Sequence, residues 1–186
     1  MMNKRILSIV LSVCLMLVLV GCGSSNSQST GPKDYTAIIS AARDAEINEN
    51  APIFHFKDEA EPEWSAQGGF AATLTGDDLE DLAESSLMAL GLDEDDIAEA
   101  SFSVSLMNVQ AYGIAIVKPA EGKTDAVKEG LASFIEGQKA AQKDYLADQY
   151  EIAKAAKLEV MKSGEVVLVM SEGQNELLKA IKTALN

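Results

Sequence analysis

His55 is the single imidazole of the chain. Its ordinary pKa near neutrality makes it the first residue to weigh as a general base. It stands between Phe54 and Phe56, with no Ser, Cys or metal partner beside it in the sequence, so a structural or surface histidine is expected. Nucleophile signatures are missing: there is no G-x-S-x-G, and no Ser stands three residues before a Lys. Gly122-Lys123-Thr124 resembles half of a phosphate loop, but Val117 occupies the place of the first glycine. A helix start is the expected role there. Asp93-Glu94-Asp95-Asp96 offers carboxylates for Ca²⁺. An EF-hand loop from Asp93 would need Gly at Ala98 and Glu at Val104, so Asp93 is expected to cap a short turn, with weak cation binding as the alternative. Trp64, Phe54, Phe56 and Phe70 could line a ligand groove, but buried packing is expected. Met88, Met107, Met161 and Met170 are expected in the core. The acidic run from Asp58 to Glu63 reads as a solvated loop. No catalytic, cofactor-binding or metal residue emerges, and an enzyme is not expected.

Composition narrows the classes further. The chain has 186 residues, 47% hydrophobic and 24% charged, which suits one globular domain. A net charge of −14 argues against nucleic acid as a partner, since that needs a basic footprint. One histidine and two cysteines leave too little for a His/Cys zinc site or a disulfide framework. The acids are unevenly spread. Between Arg43 and Glu99 stand 17 of them against Arg43 and Lys57, whereas 11 acids and 10 lysines balance from Lys118 onward. One face of the folded chain is therefore expected to be acidic.

The two cysteines are Cys14 and Cys22. Lys4 and Arg5 precede fifteen largely apolar residues, 6–20. As a helix this stretch is about 22 Å long, short of the ~30 Å hydrocarbon core. A basic head, an apolar middle and small residues after it fit a secretory signal. Leu19-Val20-Gly21-Cys22-Gly23 resembles the lipobox of bacterial lipoproteins. That resemblance implies a diacylglycerol on the Cys22 thiol and cleavage before it, which leaves no free thiol for redox or thiol catalysis. Residues 1–21 are then a signal peptide and residues 22–33 a Gly/Ser-rich tether with an r.m.s. reach of about 17–20 Å.

Residues 34–186 read as a single α+β domain, with 34–75 an N-terminal helix and irregular segment and 76–186 the core. Tyr35, Ile38, Ile39 and Ala42 predict a helix over 34–47. In the irregular stretch that follows, Ile53–Phe56 could form a short strand. Leu79, Leu82, Ala83, Ser86 and Leu90 predict a helix opened by Thr75 or Asp77 and closed by Gly91, with Leu92 folding back. Phe102, Val104 and Leu106 alternate with serines, as in a half-buried strand, and Tyr112, Ile114 and Ile116 repeat the pattern after a turn near Asn108. A long helix opens at Thr124-Asp125, with one stripe from Val127 to Tyr145. A hairpin then joins 158–161 to 166–170 through Ser163-Gly164. Ser171 to Gln174 reads as a capping box for a last helix. Two helix–hairpin units predict a four-stranded antiparallel sheet with helices packed on one face and an extra N-terminal helix.

The runs Tyr112-Gly113-Ile114-Ala115-Ile116-Val117, Gln142-Lys143-Asp144-Tyr145-Leu146 and Gly164-Glu165-Val166-Val167-Leu168-Val169-Met170-Ser171 carry a family resemblance. They resemble a family of small bacterial lipoproteins, common in Gram-positive bacteria, defined only as a domain of unknown function. The resemblance implies a location and a fold and supplies no functional residue. The expected protein is a membrane-anchored extracytoplasmic lipoprotein that acts as a non-catalytic binding or adaptor module for an unknown envelope protein or small ligand. Capture of a small solute or cation is the alternative, and an envelope hydrolase using His55 and carboxylates a further one.

Overall fold

The computed structural model describes residues 33–60, 62–107 and 109–186. The expected leader, Cys22 and the expected turn at Asn108 lie outside the described residues. Asp34 opens α1 (Tyr35–Ala42) by accepting a hydrogen bond from the Ala37 amide at 2.9 Å. The helix expected through Ile47 stops at Arg43, whose backbone is extended (φ −95°, ψ 160°), and restarts as α2 (Ala45–Asn50). The break lets the Arg43 side chain point inward.

Then come β1 (Ile53–Lys57), β2 (Glu63–Gln67) and a short 3-10 turn at Phe70–Thr73. The chain continues through α3 (Asp77–Ala89), β3 (Ile97–Val104) and β4 (Gly113–Pro119) to α4 (Thr124–Gln142) and α5 (Ala147–Lys154). It ends with β5 (Lys157–Val160), β6 (Val166–Met170) and α6 (Gln174–Leu185). The sheet is open and six-stranded, in the order β2-β1-β3-β4-β6-β5, with each neighbouring pair antiparallel.

Six strands replace the expected four because β1 and β2 form a third hairpin. Only Trp64 and Ala66 of β2 turn inward, so the segment lacks an apolar signature of its own. Pairing supplies what composition does not: Trp64 packs against Phe56 at 4.8 Å and edge-on to Phe102 at 6.2 Å.

The helices cover both faces of the sheet, not one. Phe54, Phe102, Ala115 and Leu168 face α3 and α4, while Ile53, Ile114, Ile116 and Val167 face α1 and α6. Ser101 and Ser103, expected toward solvent, are fully buried beneath α1. Their hydroxyls are satisfied there by side chains, which is why a polar strand face could be covered at all.

Ends of helices sort the remaining expectations. The α3 stop is as expected. Gly91 adopts φ +74°, its amide bonds the Met88 carbonyl at 2.9 Å, and the Leu92 amide bonds Leu87 at 3.3 Å. At α6 the capping box does not form. Gly173 is the N-cap, in the left-handed region, and the Ser171 hydroxyl donates to the Glu172 carbonyl. The long helix ends at Gln142, and Tyr145, expected on its inner stripe, is 87% exposed in the turn to α5.

Lys33, the last residue assigned to the tether, is fastened to the domain. Its ammonium donates to Ser163 Oγ, to Glu165 Oε1 at 3.0 Å and to the Leu185 carbonyl at 2.7 Å. Tyr35 and Ser163 donate to the same buried carboxylate. Burial pushes the Glu165 carboxyl up, but the Ser163, backbone and Lys33 donors outweigh it and hold it below the ordinary carboxylate range. Burial pushes the Tyr35 hydroxyl up, and the Glu165 charge adds to it. A depressed carboxyl contributes stability above its unfolded pKa and loses it as pH falls through the folded one. Glu165→Gln is therefore expected to be less stable than the parent at pH 7, with the gap closing below about pH 4. Urea unfolding at both pH values checks this.

Candidate functional site

Two concavities flank α1. The larger is a groove of about 860 Å³ at one end of the sheet. The break between α1 and α2 supplies Arg43 and Ile47, the approach to β4 supplies Ala111 and Tyr112, α5 supplies Gln149 and Ile152, and α6 supplies Gly173 and Leu177. Its floor is built around Arg43, which is 6% exposed. The guanidinium donates to Asn48 Oδ1 from both Nε (3.0 Å) and one terminal nitrogen (2.7 Å). It also donates to Ser103 Oγ at 2.9 Å, Tyr112 Oη at 2.8 Å and the Ala51 carbonyl at 3.1 Å. All five N–H groups are spent on neutral acceptors. Asn48 in turn donates to the Ser40 carbonyl, tying α2 back to α1. On the far wall, Gln149 accepts from the Ala111 amide at 3.0 Å and joins α5 to the start of β4.

The smaller pocket, about 350 Å³, is lined by Asp34, Thr36, His55, Ser65, Gln67 and Glu99 among others. His55 is half-buried on β1, opposite Ser65 on one side and Ser101 on the other. Its Nδ1 lies 2.9 Å from Ser101 Oγ, which lies 2.9 Å from Thr36 Oγ1. The histidine thus has serine neighbours and two carboxylates in one pocket, which local sequence did not reveal. Ser101 is fully buried and its hydroxyl is shared between Thr36 and His55.

The other singled-out residues are dispersed. Asp93 caps a 3-10 turn at Glu94–Asp96 by accepting from the Asp95 amide, as expected. Burial, with Glu84 and Glu80 nearby, pushes the Glu94 carboxyl up. Among the described residues no group of three or more His, Cys, Asp or Glu could hold a metal ion. Gly122-Lys123-Thr124 opens α4, and Lys123 pairs with Asp96 at 2.6 Å. Phe54 and Phe56 are buried, but Phe70 is 64% exposed. Met161 and Met170 are core residues, whereas Met88 and Met107 are each 66% exposed, against expectation.

Residues 74–171 match the family described as Domain of unknown function (DUF4358). The chain belongs to that family. The DUF4358 match runs from just before α3 to the residue after β6. It therefore contributes Tyr112, Gln149 and Ser171 to the groove, while Arg43 and Leu177 come from outside it. No curated protein and no solved structure matches the chain. Among the described residues, no helix is long and apolar enough to cross a membrane.

Proposed function

We propose that this DUF4358 protein is a lipid-anchored extracytoplasmic lipoprotein whose domain serves as a non-catalytic binding or adaptor module, with the groove over Arg43 and Tyr112 as its working surface. The observation that carries this reading is the position of Lys33. It binds Glu165, just before β6, and Leu185, at the end of α6. The groove lies past the other ends of both elements, at Ser171–Gly173. Five strand residues span about 17 Å and twelve helical residues about 18 Å. An anchor on Cys22 thus tethers one end of the domain and leaves the groove at the other. Two or more acyl chains on that cysteine hold a protein stably, since each buried CH₂ contributes about 0.8 kcal/mol. The acidic domain is repelled by anionic headgroups, which turns the free end outward.

Cys22→Ala is expected to move the protein from the membrane fraction to the soluble fraction. A mutant that still sediments with membranes in high salt without detergent would defeat the anchor. A photo-cross-linker placed at Gln110, on the groove rim, is expected to trap a specific envelope partner that the same group at Asp81 on α3 does not. Equal trapping at both places would defeat the module.

A second reading is favoured by the smaller pocket, which Asp34, His55 and Glu99 line together. That pocket could take a small solute, and a rise in melting temperature with Ca²⁺ or metabolite mixtures would favour capture over the adaptor role. Hydrolysis by the same residues has weaker support, because the buried Ser101 hydroxyl is already committed to two partners.

A further inference from the structure

The geometry points to a basic amphipathic segment of a partner protein as the occupant of the groove, with apolar side chains against its walls and Lys or Arg groups at its mouth. This rests on the binding-module reading and adds the chemistry of what is bound. The mouth carries four exposed carboxylates, Asp44, Glu46, Glu172 and Glu176, and among the described residues no lysine lines the groove. Among the described residues Glu59, Asp96, Asp125, Glu136, Glu151, Glu159 and Glu165 each pair with a lysine, whereas the four at the mouth, like the acids of α3, do not. Like charges gathered round a concavity raise the local concentration of cations and favour a complementary partner.

Behind that rim Ile47, Ile152 and Leu177 give the walls apolar patches beside Gln149. Among the described residues Arg43 is the one cation in the groove lining, and it lies at the floor with every N–H occupied. It repels a second cation from the bottom and offers no donor to an anion. A ligand therefore fits with its apolar groups deep and its positive groups shallow. The loop that leads to Gln110 on the rim exposes Leu106, Met107 and Val109, and three large apolar side chains so near the rim in sequence favour a protein segment over a small molecule. This end of the domain is also the one remote from Lys33, where a partner can approach without crossing the tether.

The test uses the isotope-labelled, lipid-modified protein in detergent and two synthetic helical peptides of equal length, one of Leu and Lys and one of Leu and Glu. The Leu/Lys peptide is expected to shift the amide signals of Ala111, Gln149, Gly173 and Leu177 and to leave α3 unmoved. Glu172→Lys with Glu176→Lys is expected to weaken it at least tenfold. Asp78→Lys with Asp81→Lys removes the same charge from α3 and is expected to change affinity less than twofold. Equal weakening by both pairs, or shifts centred on α3, would reduce the effect to bulk charge and overturn the proposal. Groove shifts with Leu/Glu alone would overturn the basic occupant while leaving a binding groove. No groove shift with either peptide overturns it as well, and the cross-link at Gln110 then decides the module separately.

Discussion

Gly130→Ala is expected to destabilise the domain by about 3 kcal/mol or more, enough to lower its melting temperature by roughly 6–12 °C. Gly130 lies mid-way along α4, against the turn that ends α3. A Cβ there would fall well inside contact distance of the Gly91 carbonyl, and a Cβ on Gly91 would come within 2.7 Å of the Gly130 carbonyl. Both obstacles are backbone, so relief requires α3 and α4 to move apart rather than a rotamer change. Those two helices cover one face of the sheet, and separating them opens the Leu87–Leu131 core. Gly137 sits two turns later in the same helix with open space around it. Gly137→Ala is expected to stabilise by about 0.5–1 kcal/mol, the usual gain from replacing helical glycine by alanine. Thermal unfolding of the two variants should thus move in opposite directions. Equal shifts would mean that the α3–α4 approach is looser than described.

Arg43→Ala carries the second large effect, a loss of about 2–4 kcal/mol. It removes five charge-assisted hydrogen bonds and leaves Asn48 Oδ1 and the Ala51 carbonyl without that donor. The guanidinium is the strut that joins the α1–α2 break to β3 and β4, through Ser103 and Tyr112. Arg43→Lys should recover less than half of the loss. A single ammonium cannot reach the Asn48–Ala51 side and the Ser103–Tyr112 side together, whereas the planar fork does. Urea unfolding measures the three proteins. A lysine variant as stable as the parent would show that charge, and not the fork, holds the break.

The strands of the second half, the α3 stop and the Asp93 turn could be read from local pattern, because alternation and a C′ glycine are short-range signals. What escaped was set by partners distant in sequence. Ser101 and Ser103 looked like a solvent face because their partners, Thr36, His55, Arg43 and Tyr112, are supplied mainly by other elements. Covering that face with α1 and α6 is what turned a one-sided sheet into a two-sided one. β2 escaped for a related reason, since its strand state depends on β1 and on the Phe56 and Phe102 rings. Arg43 did leave a signal. Tyr35, Ile39 and Arg43 follow at helical spacing of four, and all three are buried, so the arginine continues an apolar stripe. A charge in that register marks a buried polar network. The groove itself had no local signature, because its walls come from four separate parts of the chain.

The clasp of Lys33 on Glu165 and Leu185 has a mechanical side. A pull between Lys33 and anything held in the groove enters at one end of β6 and leaves at the other. The force then runs along the strand, and the five pairings of β6 with β4 share the strain in shear. A pull across the sheet would instead open them one after another. The fold is therefore built to resist tension applied between Lys33 and the groove.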